Sequence, residues 1–208
     1  KETRLKIKEQ QPHLVKIKAM KKITPSTSLV QESWLESNWI TAQPYIPQYA
    51  MSSFSNKLVF DGVDDNVDCG TDTSIDNVFT NGGTWSCWVS PNNFGEDTNP
   101  DIIFKGNVRV RIASDSGSPI VRFLKSFSGD NGNWRTDDTI TFSKLTHIAV
   151  AYDSSSNSND PDIYVNGVKQ TTTISSQPSG SASSDDGSNL FIGGASGGDH
   201  NYEGFVDE

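Results

Sequence analysis

The stretch "LVFDGVDDNVDCG", from Leu58 to Gly70, sets Asp61, Asp64, Asp65 and Asp68 between short apolar runs. Carboxylates this close support two chemistries. They can hold a hard cation such as Ca²⁺, which takes about six to eight oxygen ligands. They can equally accept the N–H groups of their own turn. An EF-hand loop starting at Asp64 is excluded, because its sixth place is Cys69 and its twelfth is Ile75. Any calcium would therefore be held by loops from distant parts of the chain.

Other chemistries find less support. Glycoside hydrolysis needs two carboxylates astride the sugar bond, one of them kept protonated. After residue 56 the glutamates are Glu96, Glu203 and Glu208, and they form no such spacing. His147 sits in mid-strand between apolar neighbours, a structural position rather than that of a catalytic base. Cys69 and Cys87 form no C-x-x-C, so zinc is not expected. Both lie in strand-like runs, as buried thiols or as one disulfide. A sugar-binding surface needs aromatic rings and polar loops. The candidates are Trp134 in "GDNGNWRTDD", His200 and Tyr202 in "GGDHNYEG", and Phe94 in "NNFGED". The competing role for Trp134 is to cover an edge of the fold.

The elements that must position these residues are strands. Apolar residues make up 33% of the 208, and Gly, Ser, Asn, Asp and Thr fill the remainder, which disfavours a helical bundle. From Asn56 onward, short alternating runs recur about every ten residues between turn residues. They include "GTWSCWVSP", "DIIFKG", "NVRVRIAS", "SPIVRFLKSF", "DTITFS", "THIAVAYD", "NLFIGG" and "YEGFVD". Asn166-Gly167 in "YVNGVK" marks a tight hairpin. The stretches "DSSSNSNDPD" and "SSQPSGSASSDDGSN" are polar loops.

Residues 1–50 have a different texture. Residues 1–22 carry eight Lys/Arg against two Glu, whereas the rest of the chain carries nine against twenty-four. So acidic a main part is not expected to hold nucleic acid. The basic arm has no aromatic residue before Trp34 to stack on bases. Ser28 and Gln31 resemble a capping box, predicting a short helix over 29–40. Pro44 and Pro47 stop it. The arm reads as a linker or as a segment docking on a neighbouring subunit, and Met51 offers an alternative start for a domain over 51–208. No apolar run is long enough for a membrane span. No secretory signal is visible, and both chain ends read as cut.

Four pieces in order resemble one family: "LVFDGVDDNVDCG", "GTWSCWVSP", "LTHIAVAYD…DIYVNGVKQ" and "NLFIGGASGGDHNYEGFVDE". They are similar to the concanavalin A-like, laminin G-like domains, over Lys57 to Glu208. Thr146 and Leu145 depart from the family's His and Trp at those places, and the family's closing strand runs beyond "DE". The resemblance implies an all-β, two-sheet antiparallel jelly-roll sandwich. Its glycanases usually carry an E-x-D-x-x-E strand, which is absent here. It implies a non-catalytic module that binds a glycan or protein surface, on a phage virion (a tail fibre or decoration protein) or a bacterial surface. Residues 1–50 would then meet neighbouring virion subunits. A carbohydrate-binding appendage of a secreted glycoside hydrolase and a purely structural virion protein are the alternatives. In this fold the first and last strands can pair. That would bring Asp207 to Asp61 and Asp65 as a calcium site.

Overall fold

The computed structural model describes residues 57–95 and 98–207, together with three strands nearer the N-terminus. The chain divides into two units, Lys1–Ser55 and Asn56–Glu208. In the first, β1 (Lys6–Gln11) and β2 (Leu14–Lys18) pair antiparallel, with Ile7 opposite Ile17, and β3 (Ile40–Thr41) pairs with β2. The helix expected over 29–40 lies outside the described residues, apart from Ile40 in β3.

The second unit is a two-sheet antiparallel sandwich of the jelly-roll type. Its strands are β4 (Leu58–Asp61), β5 (Val67–Asp68), β6 (Gly83–Pro91), β7 (Asp101–Lys105), β8 (Val108–Asp115) and β9 (Ser118–Lys125). There follow β10 (Gly132–Thr136), β11 (Thr146–Tyr152), β12 (Asp162–Val165), β13 (Val168–Lys169), β14 (Thr172–Ser176), β15 (Leu190–Ile192) and β16 (Glu203–Asp207). Among the described residues, one sheet has seven strands in the order β14-β10-β9-β8-β7-β15-β5. The other has six, in the order β13-β12-β11-β6-β16-β4.

The period-two alternation of the sequence sends one row of each strand inward. Cys87 and Val89 of β6, Val110 and Ile112 of β8, Val121 and Phe123 of β9, and Ile148 and Val150 of β11 meet in the core. Each fully buried Val, Ile or Phe contributes about 1.5–3 kcal/mol. Val165 pairs with Val168 across Asn166-Gly167, and both turn residues have positive φ (51° and 77°). This is the backbone a two-residue primed turn demands, and Asn-Gly meets it at low cost.

Two expectations are corrected. "GNWRT", read as loop, is β10, while "DTITFS", read as strand, is not one; Ile140 instead donates its N–H to the Pro119 carbonyl and packs into the core. β4 and β5 are not sheet neighbours: the Asp-rich segment between them crosses from one sheet to the other. Cys69 and Cys87 form no disulfide; Cys69 follows β5 and is exposed, and Cys87 is buried in β6 of the opposite sheet.

Candidate functional site

The crossing from β4 to β5 makes an acidic rim. Gly62 turns the chain at φ 82°, and a side chain there would strike Glu203. Val63 N–H donates to Asp61 Oδ1 at 2.9 Å, and Asp61 N–H donates to Asp65 Oδ2 at 3.1 Å. These bonds hold the loop with its carboxylates outward. Asp61, Asp64 and Asp65 each offer an oxygen within 4.8 Å of the others, and all three are exposed.

Neighbouring segments complete the rim. Glu203 stands opposite Asp61 in the β4–β16 ladder, and its Oε2 accepts from Asn93 Nδ2 at 2.6 Å. Asn201 lies beneath the loop, 4% exposed, with Nδ2 donating to the carbonyls of Val63 and Gly198. Its Oδ1 is buried without a hydrogen-bond partner and lies beside Gly194, near Asn66 and the Asp65 carbonyl. Among the described residues, no Lys or Arg forms an ion pair with Asp61, Asp64, Asp65 or Glu203. The three clustered carboxylates are oxygen donors of the kind a hard divalent cation takes.

A second acidic group, Asp76, Asp185 and Asp186, is already served by a cation of the chain itself. Lys105 Nζ lies 2.8 Å from Asp76 Oδ1 and 3.3 Å from Asp185 Oδ1, and donates to the carbonyls of Asp185 and Ser188 at 3.0 Å each. Burial works against the ammonium, but hydrogen bonds to Asp76 and Asp185 more than offset it and hold its pKa above the ordinary lysine value. Beside Lys105 an apolar cleft of about 190 Å³ opens among Ile75, Val78, Trp85, Ile103 and Leu190.

Two of the four expected ligand residues, Trp134 and Tyr202, lie in the core. Trp134 is fully buried: its Nε1 donates to Asp160 Oδ1 at 2.9 Å and its ring packs on Phe123 and Tyr152. Tyr202 is also fully buried, edge-on to Phe60, with its hydroxyl donating to the Phe205 carbonyl. Neither ring has a face free for a sugar, so both are core residues. Phe94 is partly buried, edge-on to Phe142 at 4.9 Å. His200 is partly buried, and its carbonyl accepts from Asp101 N–H. His147 packs edge-on to Trp88 at 5.1 Å.

Asp207 is corrected too. The first and last strands do pair, but in a register that sets Glu203 against Asp61 and Asp207 against Trp88. Asp207 is thus four residues from the rim, about 13 Å along the strand. Glu203, Asn93 and Asn201 were missed as rim residues. Asn201 and Glu203 stand in "NYEG" where the closing strand begins and Asn93 in "NNFGED", and their meeting is legible only once the ladder register is known.

A laminin G-type family model, described as "Concanavalin A-like lectin/glucanases superfamily", matches residues 61–208. No curated protein matches the chain. Among solved structures, the chain is similar to the native heptameric SAP-like pentraxin from Limulus polyphemus. The identity is 13% over 71% of this chain and 75% of that one, with a TM-score of 0.44. Domains LG4-5 of the mouse laminin alpha1 chain show 11% identity over 73% of this chain and 40% of that one, with a TM-score of 0.47. From the family match over residues 61–208, the chain belongs to the concanavalin A-like lectin/glucanases superfamily.

Proposed function

We propose that this chain is a non-catalytic recognition module that binds a glycan or protein surface outside the cell or on a virion, with a calcium ion organising its binding rim. Asp61, Asp64 and Asp65 would hold the ion. The observation that carries the reading is the convergence of three carboxylates within 4.8 Å with no basic partner among the described residues. Such a cluster repels itself until a cation arrives. A bound ion would stiffen the crossing loop and turn a negative rim into a surface that coordinates ligand oxygens. A single shallow site of this kind binds weakly and gains by repetition on an assembly.

The test is calorimetric titration of the whole chain with calcium, followed by a glycan array in calcium and in EDTA. The expected result is calcium binding and calcium-dependent retention of glycan. No heat, together with no rise in melting temperature at millimolar calcium, would overturn the calcium rim. Turnover of a polysaccharide by the chain would overturn the non-catalytic reading.

A further inference from the structure

The outer face of the seven-stranded sheet carries a charge pattern that the rim does not explain. On β8, Val108, Val110 and Ile112 point into the core, so Arg109 and Arg111 point outward. The register then sets Arg111 opposite Arg122 on β9, and Arg122 opposite Arg135 on β10. Three guanidinium groups stand in a row on adjacent strands, about 4.8 Å apart per strand. Like charges directly opposed across a ladder destabilise a sheet.

The two ends of the row are compensated. Asp101, fully buried, accepts from Arg111 Nε at 2.8 Å and from Arg109 Nη1 at 2.9 Å. Asp115 accepts from Arg135 Nη1. Among the described residues, the middle forms no ion pair. Arg122 donates from Nη1 to Asn99 Oδ1 at 3.2 Å, an amide and no carboxylate, and its Nε is buried without an acceptor. Burial together with the charges of Arg111 and Arg135 lowers its pKa, and the Asp115 charge offsets this only in part. Four arginines thus face two aspartates, on a chain whose net charge is −9.

The same face carries aromatic surface. Phe191, Phe104 and Arg109 are consecutive partners across β15, β7 and β8. The rings of Phe104 and Phe191 stack at 6.2 Å, and the Arg109 guanidinium lies 4.3 Å over Phe104. From Phe104 to Arg122 is two strands across and two residues along, about 12 Å. A ligand reaching both must be an oligosaccharide rather than a single sugar.

We propose that this row is a second binding face, which takes a carboxylate of an acidic oligosaccharide on Arg122 and lays a sugar's apolar side against Phe104 and Phe191. A carboxylate is favoured because the row already seats two, Asp101 and Asp115, and the guanidinium fork matches that group. The ligand carboxylate completes the alternation at Arg122, which forms no ion pair among the described residues. The uncompensated charge costs stability in the free protein, as binding residues commonly do. The inference rests on the recognition reading only in taking the ligand to be a glycan. It uses no residue of the rim.

The test is calorimetry with oligogalacturonate as probe, dextran as neutral control and heparin as sulfated control, all in EDTA. Wild type and Arg122→Gln are compared, with the melting temperature of each. The expected result is binding of oligogalacturonate but not dextran, weakened at least tenfold in Arg122→Gln and weakened again by raised salt. Arg122→Gln should melt at the same temperature or higher. No oligogalacturonate binding in EDTA, equal binding by the variant, or binding of heparin alone would each overturn the proposal. Glycan binding that requires calcium and survives Arg122→Gln would overturn it while leaving the rim reading intact.

Discussion

Glu203 stands directly opposite Asp61 in the ladder that joins the first and last strands of the sandwich. The same register leaves Asp207 at the far end of β16, opposite Trp88 and away from the Asp61, Asp64 and Asp65 cluster.

Asp64→Asn should separate charge from structure at the rim, since the Asp61 and Asp65 caps remain. Without calcium the variant should melt slightly higher than wild type, because one repulsion is removed. At a calcium concentration about 100 times the dissociation constant, wild type should gain about 2.7 kcal/mol and the variant little of it. Asp207→Asn should respond to calcium as wild type does. Melting curves with and without calcium check all three statements. Loss of the response in Asp207→Asn but not in Asp64→Asn would refute the assignment.

Trp134→Ala should destabilise the domain by about 3–5 kcal/mol, the cost of a large core truncation. The ring is fully buried, its N–H is satisfied by Asp160, and a side chain at Gly132 would collide with it. Urea unfolding monitored by circular dichroism measures the loss. A variant as stable as wild type would place the ring outside the core.

Asp101→Asn should destabilise the domain, because it removes one of the two acceptor oxygens that serve Arg109 and Arg111. Burial pushes the Asp101 carboxyl above its ordinary value, and Arg111 and Arg109 pull it back only in part. A carboxyl raised on folding takes up protons as the chain folds. Its contribution is therefore full below the usual carboxylate value near 4 and is lost as pH rises through the raised value. The stability of wild type relative to Asp101→Asn should fall across that window. Urea midpoints of the pair between pH 3 and pH 7 test the sign.

The two thiols should differ sharply in reactivity. Cys87 is buried, and burial pushes its thiol far up; Cys69 is exposed and raised by partial burial and by the Asp68 charge. Iodoacetamide at pH 8 should label Cys69 in the native protein, more slowly than a free thiol, and Cys87 only after unfolding. Mass spectrometry of digested protein reads both sites. Native labelling of Cys87 would contradict its place in the core.

What the sequence determined by itself is local. Alternation and turn residues marked the sandwich, and the Asn166-Gly167 hairpin follows from φ angles that two neighbouring residues can adopt. The cluster of Asp61, Asp64 and Asp65 was legible because one loop holds all three. Trp134 misled because polar neighbours on the outer face of β10 look like a loop, while the inward row is a single large ring. "DTITFS" misled in the opposite way: it alternates, but its backbone bonds to Pro119 in place of a ladder.

The tertiary structure decided everything that depends on register. Sliding a strand by one residue turns its side chains to the other face, and no local pattern specifies which distant residue it meets. For that reason Glu203 rather than Asp207 joins Asp61, and Arg122 rather than an acidic residue stands between Arg111 and Arg135. Those pairings follow from how two sheets fill one core, a constraint spread over the whole domain.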